Sequence, residues 1–266
     1  MMKLLLQGGV IIATFFAMWI GLRQLDWVSI FHVKEISTST EEKLGELYWN
    51  IYKKLEDEET SKSITNPIDS LLNHICKANG IDADIIKLHI IRKDQVNAFA
   101  LPDHHLVLFT DLILDCENEA ELCGVMAHEL AHMEKGHIMK KLVKEIGLSM
   151  LIAMTSGKGS PETMQQAVHL LSSTAFDRTL ESEADRTAVD YLVAANIDPE
   201  PFANFLFRMS ARDSGLPKQI SWISTHPDSE ERSKTIIEQL KELAFEKETV
   251  LDSTQWITLK ENLKNE

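Results

Sequence analysis

Two histidines four residues apart, with a glutamate beside the first, are the side chains of this 266-residue sequence best suited to chemistry: His128-Glu129-Leu130-Ala131-His132. The run reads as helical, and on a helix residues four apart share a face, so both imidazoles aim at one point. Two neutral imidazole nitrogens suit zinc, which binds nitrogen at about 2.0–2.1 Å. Glu129 stands roughly 100° round the helix from His128 and leans over the open side of such a metal. A carboxylate there takes a proton from a water whose pKa zinc lowers to about 7. This is the arrangement that turns water against a peptide carbonyl. Five residues recur by chance, so the flanking elements must carry the reading.

Zinc of this type needs a third protein ligand and leaves the fourth place open. A ligand further along the same segment, at the spacing H-E-x-x-H-x-x-G-x-x-H, requires Gly at 135 and His at 138. Lys135 and Ile138 stand there, so His137 reads as a surface or helix-end histidine. A second helix offers the alternative, Glu181-Ser182-Glu183-Ala184-Asp185. Glu181 and Asp185 share a face: the first is placed to bind zinc, the second to accept the ring N–H of a ligand histidine and fix its tautomer. Glu183 points elsewhere. Further on, Thr225-His226-Pro227 is followed by Arg232. His226 is suited either to stabilising a tetrahedral oxyanion or to plugging the open zinc position.

The elements that position these residues follow from periodicity. Ser39-Thr40-Glu41-Glu42 resembles a capping box, followed by Leu44, Leu47, Tyr48, Ile51 and Leu55 at helical spacing. A polar loop is expected over 56–62. Asn66 and Pro67 open a second helix that Gly80 closes. Strands are expected at 31–37, 85–91, 96–100 and 106–110, the last two joined at Pro102-Asp103-His104-His105. The motif helix starts near Asn118, with Leu122, Val125 and Met126 as its buried stripe. Residues 142–154 form an apolar helix too short to span a bilayer, read as core or as a lid or wall that dips into membrane. A loop at 157–160 precedes helices from Pro161 to about 172, from 178 to 195, from Asp198-Pro199 onward, and from the Asp228/Glu231 capping box to about 240. The fold class is α+β, mainly helical, with a small mixed sheet beside the motif helix.

The formal charge is −14, and residues 1–23 hold only Lys3 and Arg23 as charges. That excess of acid argues against a nucleic-acid partner and against electrostatic adhesion to anionic lipid. Cys76, Cys116 and Cys123 form neither a disulfide framework nor a cysteine zinc site, and read as small buried apolar residues. Residues 4–22 are apolar enough, and about 28 Å long as a helix, to cross a hydrocarbon core of about 30 Å. They read as a single uncleaved anchor, with a signal peptide as the alternative. The expected organisation is an anchor or signal segment (1–24), a juxtamembrane helical segment packed on the catalytic domain (25–66), a metallopeptidase domain (67–240) and a tail (241–266). The amino terminus is placed in the cytoplasm and the body outside it.

Together, Asn97-Ala98-Phe99-Ala100-Leu101-Pro102, the H-E-x-x-H run, Arg178 with Glu181 to Asp185, and Thr225-His226-Pro227 with Arg232 resemble the HtpX-like family of gluzincin zinc metallopeptidases. The single amino-terminal segment favours its Oma-like and BepA-like branches. The resemblance implies one zinc per chain held by His128, His132 and Glu181, with Glu129 as general base. It implies Asp185 orienting a ligand histidine, Arg178 supporting the site, and His226 and Arg232 lining it. Asn97, Ala98, Phe99 and Ala100 correspond to an edge strand that pairs with an extended substrate backbone. The implied substrates are unfolded or flexible polypeptides in membrane-tethered quality control. The sequence departs from the family at Asp103-His104, where two glycines are usual, and at Asp177, where serine is usual.

Overall fold

A computed structural model describes residues 38–157, 174–213, 221–241 and 246–265, together with Gln7, Thr14, Phe16, residues 169–170 and Leu243. The expected span at 4–22, the strand at 31–37 and most of the helix from Pro161 lie outside these residues. Among the described residues no helix is long and apolar enough to cross a membrane. The chain divides into two units, Met1–Ser39 and Thr40–Glu266, and the second holds the sheet and every helix below except Thr38 and Ser39 at the start of the first.

The architecture is mainly helical with one four-stranded mixed sheet. Helix α1 (Thr38–Tyr52) leads to β1 (Asp57–Glu58), α2 (Lys62–Ala78) and a 3-10 turn at Ala83–Ile85. Strands β2 (Lys87–Arg92), β3 (Ala98–Leu101) and β4 (His105–Phe109) follow, then α3 (Thr110–Asp115) and the motif helix α4 (Glu119–Glu134). Next are α5 (His137–Ile146), α6 (Leu148–Thr155), α7 (Arg178–Ala194) and α8 (Glu200–Asp213). The last elements are α9 (Ser221–Thr225), α10 (Ser229–Leu240) and α11 (Ser253–Asn265). The strand order is β1-β2-β4-β3, with β2 and β4 parallel and both outer pairs antiparallel.

Alternation along the strands gives the sheet two apolar faces. Ile90, Ala98, Leu106 and Leu108 join the main core with α2 and α4. On the other face Phe99 meets Phe109 and Tyr52 edge-on, and Trp49 of α1 stacks on His89. The β3–β4 turn lies against α1 so closely that a Cβ at Gly45 would overlap Pro102 and Asp103. Asp103 and His104 both adopt positive φ, 61° and 59°. Two of the three loop residues thus hold left-handed backbone without the glycines that favour it. Lys87 pairs with Asp103 at 2.5 Å.

Several local expectations are corrected. Residues 57–58 are a strand, because Asp57 and Glu58 pair with Arg92 and Ile91. Helix α2 begins at Lys62 and carries Pro67 inside it; Ile64, fully buried on the same stripe as Ile68 and Leu71, extends the helix past the proline. The boundary expected at 66/67 therefore falls within a helix. Helix α1 stops at Tyr52, leaving Leu55 exposed. The apolar run 142–154 is split at Gly147 into α5 and α6. The tail packs into the core through Trp256, Leu259 and Leu263 of α11. The three cysteines are free and buried, as expected.

Candidate metal centre

Asn118 caps α4 by accepting the Glu121 N–H at 3.1 Å. Glu121 makes no reciprocal bond. It accepts the Glu117 N–H and is gripped by Arg208 at 2.7 Å on both oxygens. From this start α4 runs through the centre of the domain, buried on every side from Glu121 to His132. Gly124 permits that burial, since a Cβ there would overlap the Phe202 ring of α8.

Four donors converge at the middle of α4. His128 Nε2 and His132 Nε2 are 3.0 Å apart. Glu181 of α7 places one oxygen 3.3 Å from His132 Nε2 and the other 3.5 Å from His128 Nε2. His226, just after α9, brings Nδ1 to 3.0 Å from Glu181 and 3.2 Å from His128 Nε2. All four residues are buried, and their donor atoms lie within 4.8 Å of one another. A tetrahedron of nitrogen and oxygen ligands around zinc has edges of about 3.3 Å, so the donor set fits that ion.

The shell around the donors fixes ring orientations. Asp185 Oδ1 lies 3.0 Å from His128 Nδ1. Arg232 grips Asp185 with two bonds of 2.7 Å, reaches Glu181 at 2.6 Å and donates to the His226 carbonyl. Its guanidinium is thus spent behind the ligands. Burial opposes ionisation of both carboxylates, but Arg232 overcomes it: Glu181 is held well below its usual value and Asp185 falls to about 2. Arg178 does not support the ligands either; its exposed side chain pairs with Asp228 at 2.7 Å. That pairing occupies the carboxylate expected to cap α10, and Asp228 makes no cap bond.

His137 is a residue the sequence reading missed. It is fully buried, with Nδ1 3.0 Å from His132 Nδ1 and Nε2 3.4 Å from Glu183. If His132 binds metal through Nε2, its Nδ1–H donates to His137, whose Nε2–H donates to Glu183. One chain of tautomers then fixes both rings. Burial pushes His132 down to about 3 and His137 to about 4, keeping both neutral. The left-handed turn at Gly136 (φ 63°) breaks the helix and folds His137 back beneath His132.

Glu129 sits between the donors and the sheet. Its Oε2 accepts the Ala100 N–H at 3.1 Å, and its Oε1 lies 3.3 Å from His226 Nε2 and 3.4 Å from Trp222 Nε1. Burial would raise its pKa, yet the histidines, His226 first, hold it below the usual value. The expected substrate strand is covered: Asn97, Ala98, Phe99 and Ala100 are each at most 5% exposed, and Trp222 of α9 donates its N–H to Val96.

Residues 63–240 match the model of Peptidase family M48. The chain belongs to this family. It is 29% identical over 186 residues to the mitochondrial metalloendopeptidase OMA1 of Schizosaccharomyces pombe, covering 68% of this chain and 55% of that protein. It is 30% identical over 188 residues to the beta-barrel assembly-enhancing protease of Escherichia coli, covering 64% and 37%. The bovine OMA1 metalloendopeptidase is 26% identical over 188 residues, covering 63% and 35%. The chain thus matches about half or less of the length of these curated relatives. The M48 match contains all four donors and Glu129. Zinc is the metal of M48 peptidases, and the three nitrogens and one carboxylate gathered here suit it.

Proposed function

We propose that this protein is a membrane-anchored zinc endopeptidase that hydrolyses unfolded or misassembled polypeptides. The observation that carries the proposal is the buried Glu129 carboxylate, held by the Ala100 N–H, beside a buried His128–His132–Glu181 donor set. When bound, zinc supplies Lewis acidity to a carbonyl and acidifies a water. Glu129 takes the proton from that water and returns it to the leaving amine. The Ala100 N–H and the Trp222 indole aim its carboxylate. His226 stabilises the oxyanion through its Nε2–H once it leaves the donor set. Asp185, His137 and Glu183 hold the ligand rings. Arg232 balances Glu181 and Asp185, and Arg178 holds the loop before α10 through Asp228. An extended peptide adds to β3 at 97–100, which requires α9 to move off that edge. Residues 1–24 form the anchor, with the body on the extracytoplasmic side; the juxtamembrane segment ends before α2, the peptidase domain runs from Lys62 to residue 240, and 241–266 are its tail.

A second reading is favoured by His226 Nδ1 standing among the donors: a zinc-containing binding module whose fourth position is filled. Cleavage of casein by the full chain separates the two. The protease reading predicts turnover that Glu129→Gln abolishes while zinc content is unchanged. If the wild type is silent but His226→Ala cleaves, the protein is a self-plugged protease. If both are silent with zinc bound, the binding-module reading stands.

A further inference from the structure

The α5–α6 corner joins a lysine-bearing helix to an apolar one. Helix α6 has no charged residue, and Leu148, Met150, Leu151, Ile152, Ala153 and Met154 clothe it on all sides. A helix apolar all round is ordinarily buried in protein or in lipid. Here only Leu151 and Met154 are buried, while Met150 is 41% and Ile152 50% exposed. The other exposed large apolar side chains of the second unit are scattered singly, which is ordinary for a protein surface.

Just before this apolar tip come Lys135, Lys140, Lys141 and Lys144, with Glu145 as the only acid from 135 to 157. This basic stretch belongs to a chain of net charge −14. Lys141 is used internally, donating to the Thr174 carbonyl at 2.6 Å. Lys135 is exposed and Lys140 partly so. Lys144 pairs with Asp177 where both side chains are more than half exposed, a bond that costs little to give up. An apolar tip flanked by lysines matches a surface with a hydrocarbon interior and anionic headgroups.

We propose that α6 dips into an anionic phospholipid surface, with Met150 and Ile152 in the acyl boundary and Lys135, Lys140 and Lys144 on the headgroups. This rests on the proposed anchor at 4–22, which brings the domain to a bilayer. The contact would fix the domain's orientation, whereas the anchor alone would leave it free to tumble.

The test uses the full chain in vesicles of mixed phosphatidylglycerol and phosphatidylcholine. Ile152→Cys and, as a control, Ile257→Cys on α11 each receive a nitroxide; the three native cysteines are buried and do not compete. The proposal predicts that the label at 152 is relaxed by oxygen and shielded from a water-soluble nickel chelate, with the reverse at 257. Lys135→Glu together with Lys140→Glu should lower the embedded-to-free ratio at 152 by about fivefold or more. Pure phosphatidylcholine should lower it similarly. A chain that floats with vesicles but carries a wet label at 152 overturns this proposal and leaves the anchor standing. Spin–spin broadening between labels at 152 overturns it in favour of a second copy. A chain that does not float at all overturns both.

Discussion

The protein contains two histidine clusters, on opposite sides of the β3–β4 hairpin, that resemble each other at first glance. In one, His128 Nε2 and His132 Nε2 are 3.0 Å apart and Asp185 lies 3.0 Å from the remaining nitrogen of His128. In the other, His89 Nε2 and His105 Nδ1 are 2.9 Å apart and Glu58 lies 2.7 Å from the remaining nitrogen of His89. What separates them is the third and fourth donors. Glu181 and His226 converge on the first pair, and among the described residues no other group of three or more donors gathers in this way. The second pair has Trp49 stacked on it at 3.5 Å, and His105 Nε2 is buried without a hydrogen-bond partner. A close imidazole pair held by a carboxylate is therefore not in itself a metal site. The first pair is one because further elements deliver more donors and Arg232 offsets their charge.

The largest expected contrast is between the carboxylates. Glu181→Gln removes a ligand and half of the charge that Arg232 is buried against. It should empty the zinc site and destabilise the fold by about 3–5 kcal/mol, the usual cost of breaking a buried ion pair. Glu58→Gln, at a partly exposed position, should cost about 1 kcal/mol or less and leave zinc in place. Metal analysis and denaturant unfolding of the two variants check this.

The next contrast is in zinc affinity. His137→Ala should weaken zinc binding about 10- to 100-fold by freeing the His132 ring. Competition against a chromophoric chelator measures it, and the matching His105→Ala should change nothing. The same titration should saturate at one zinc per chain; a second zinc lost on His105→Ala would sink the distinction between the clusters.

A third contrast is in pH dependence. Burial first, then the neighbouring His89, pushes His105 down to about 4, below the unfolded value of about 6.5. The unfolded chain binds the extra proton first, so the stability this group contributes is present above pH 6.5. It is lost as pH falls towards 4, by roughly 2–3 kcal/mol. His105→Gln should flatten that part of the stability–pH curve of the zinc-loaded protein. An unchanged slope would show that His105 is not a source of the acid sensitivity.

His128, His132 and the Asn118 cap were legible in local spacing, whereas Glu181 and His226 were legible only in company with that motif. Other features depend on partners far away in sequence. Asp228 begins α10 as expected, yet its carboxylate is taken by Arg178, fifty residues earlier, and the cap bond is never made. The Asp57–Glu58 strand exists only because β2 is there to pair with it. Pro67 is a fair sign of a helix start, but burying Ile64 outweighs the hydrogen bond the proline gives up. His137 reads as a surface or helix-end histidine, whereas the turn at Gly136 points it back into the protein. Helix α4 shows little amphipathic pattern because its polar residues are used inside the protein.

The bond from the Ala100 N–H to Glu129 ties the position of the base to the register of the sheet. Residues 97, 99 and 101 face β4 with their backbone groups, so Ala98 and Ala100 are the positions that face an added strand. One of their two N–H groups is already committed to Glu129. A peptide adding here would find a short ruler whose zero mark is the base itself. Sliding the peptide by one residue would exchange the faces its side chains present, so cleavage sites along a substrate would be selected in steps of two residues.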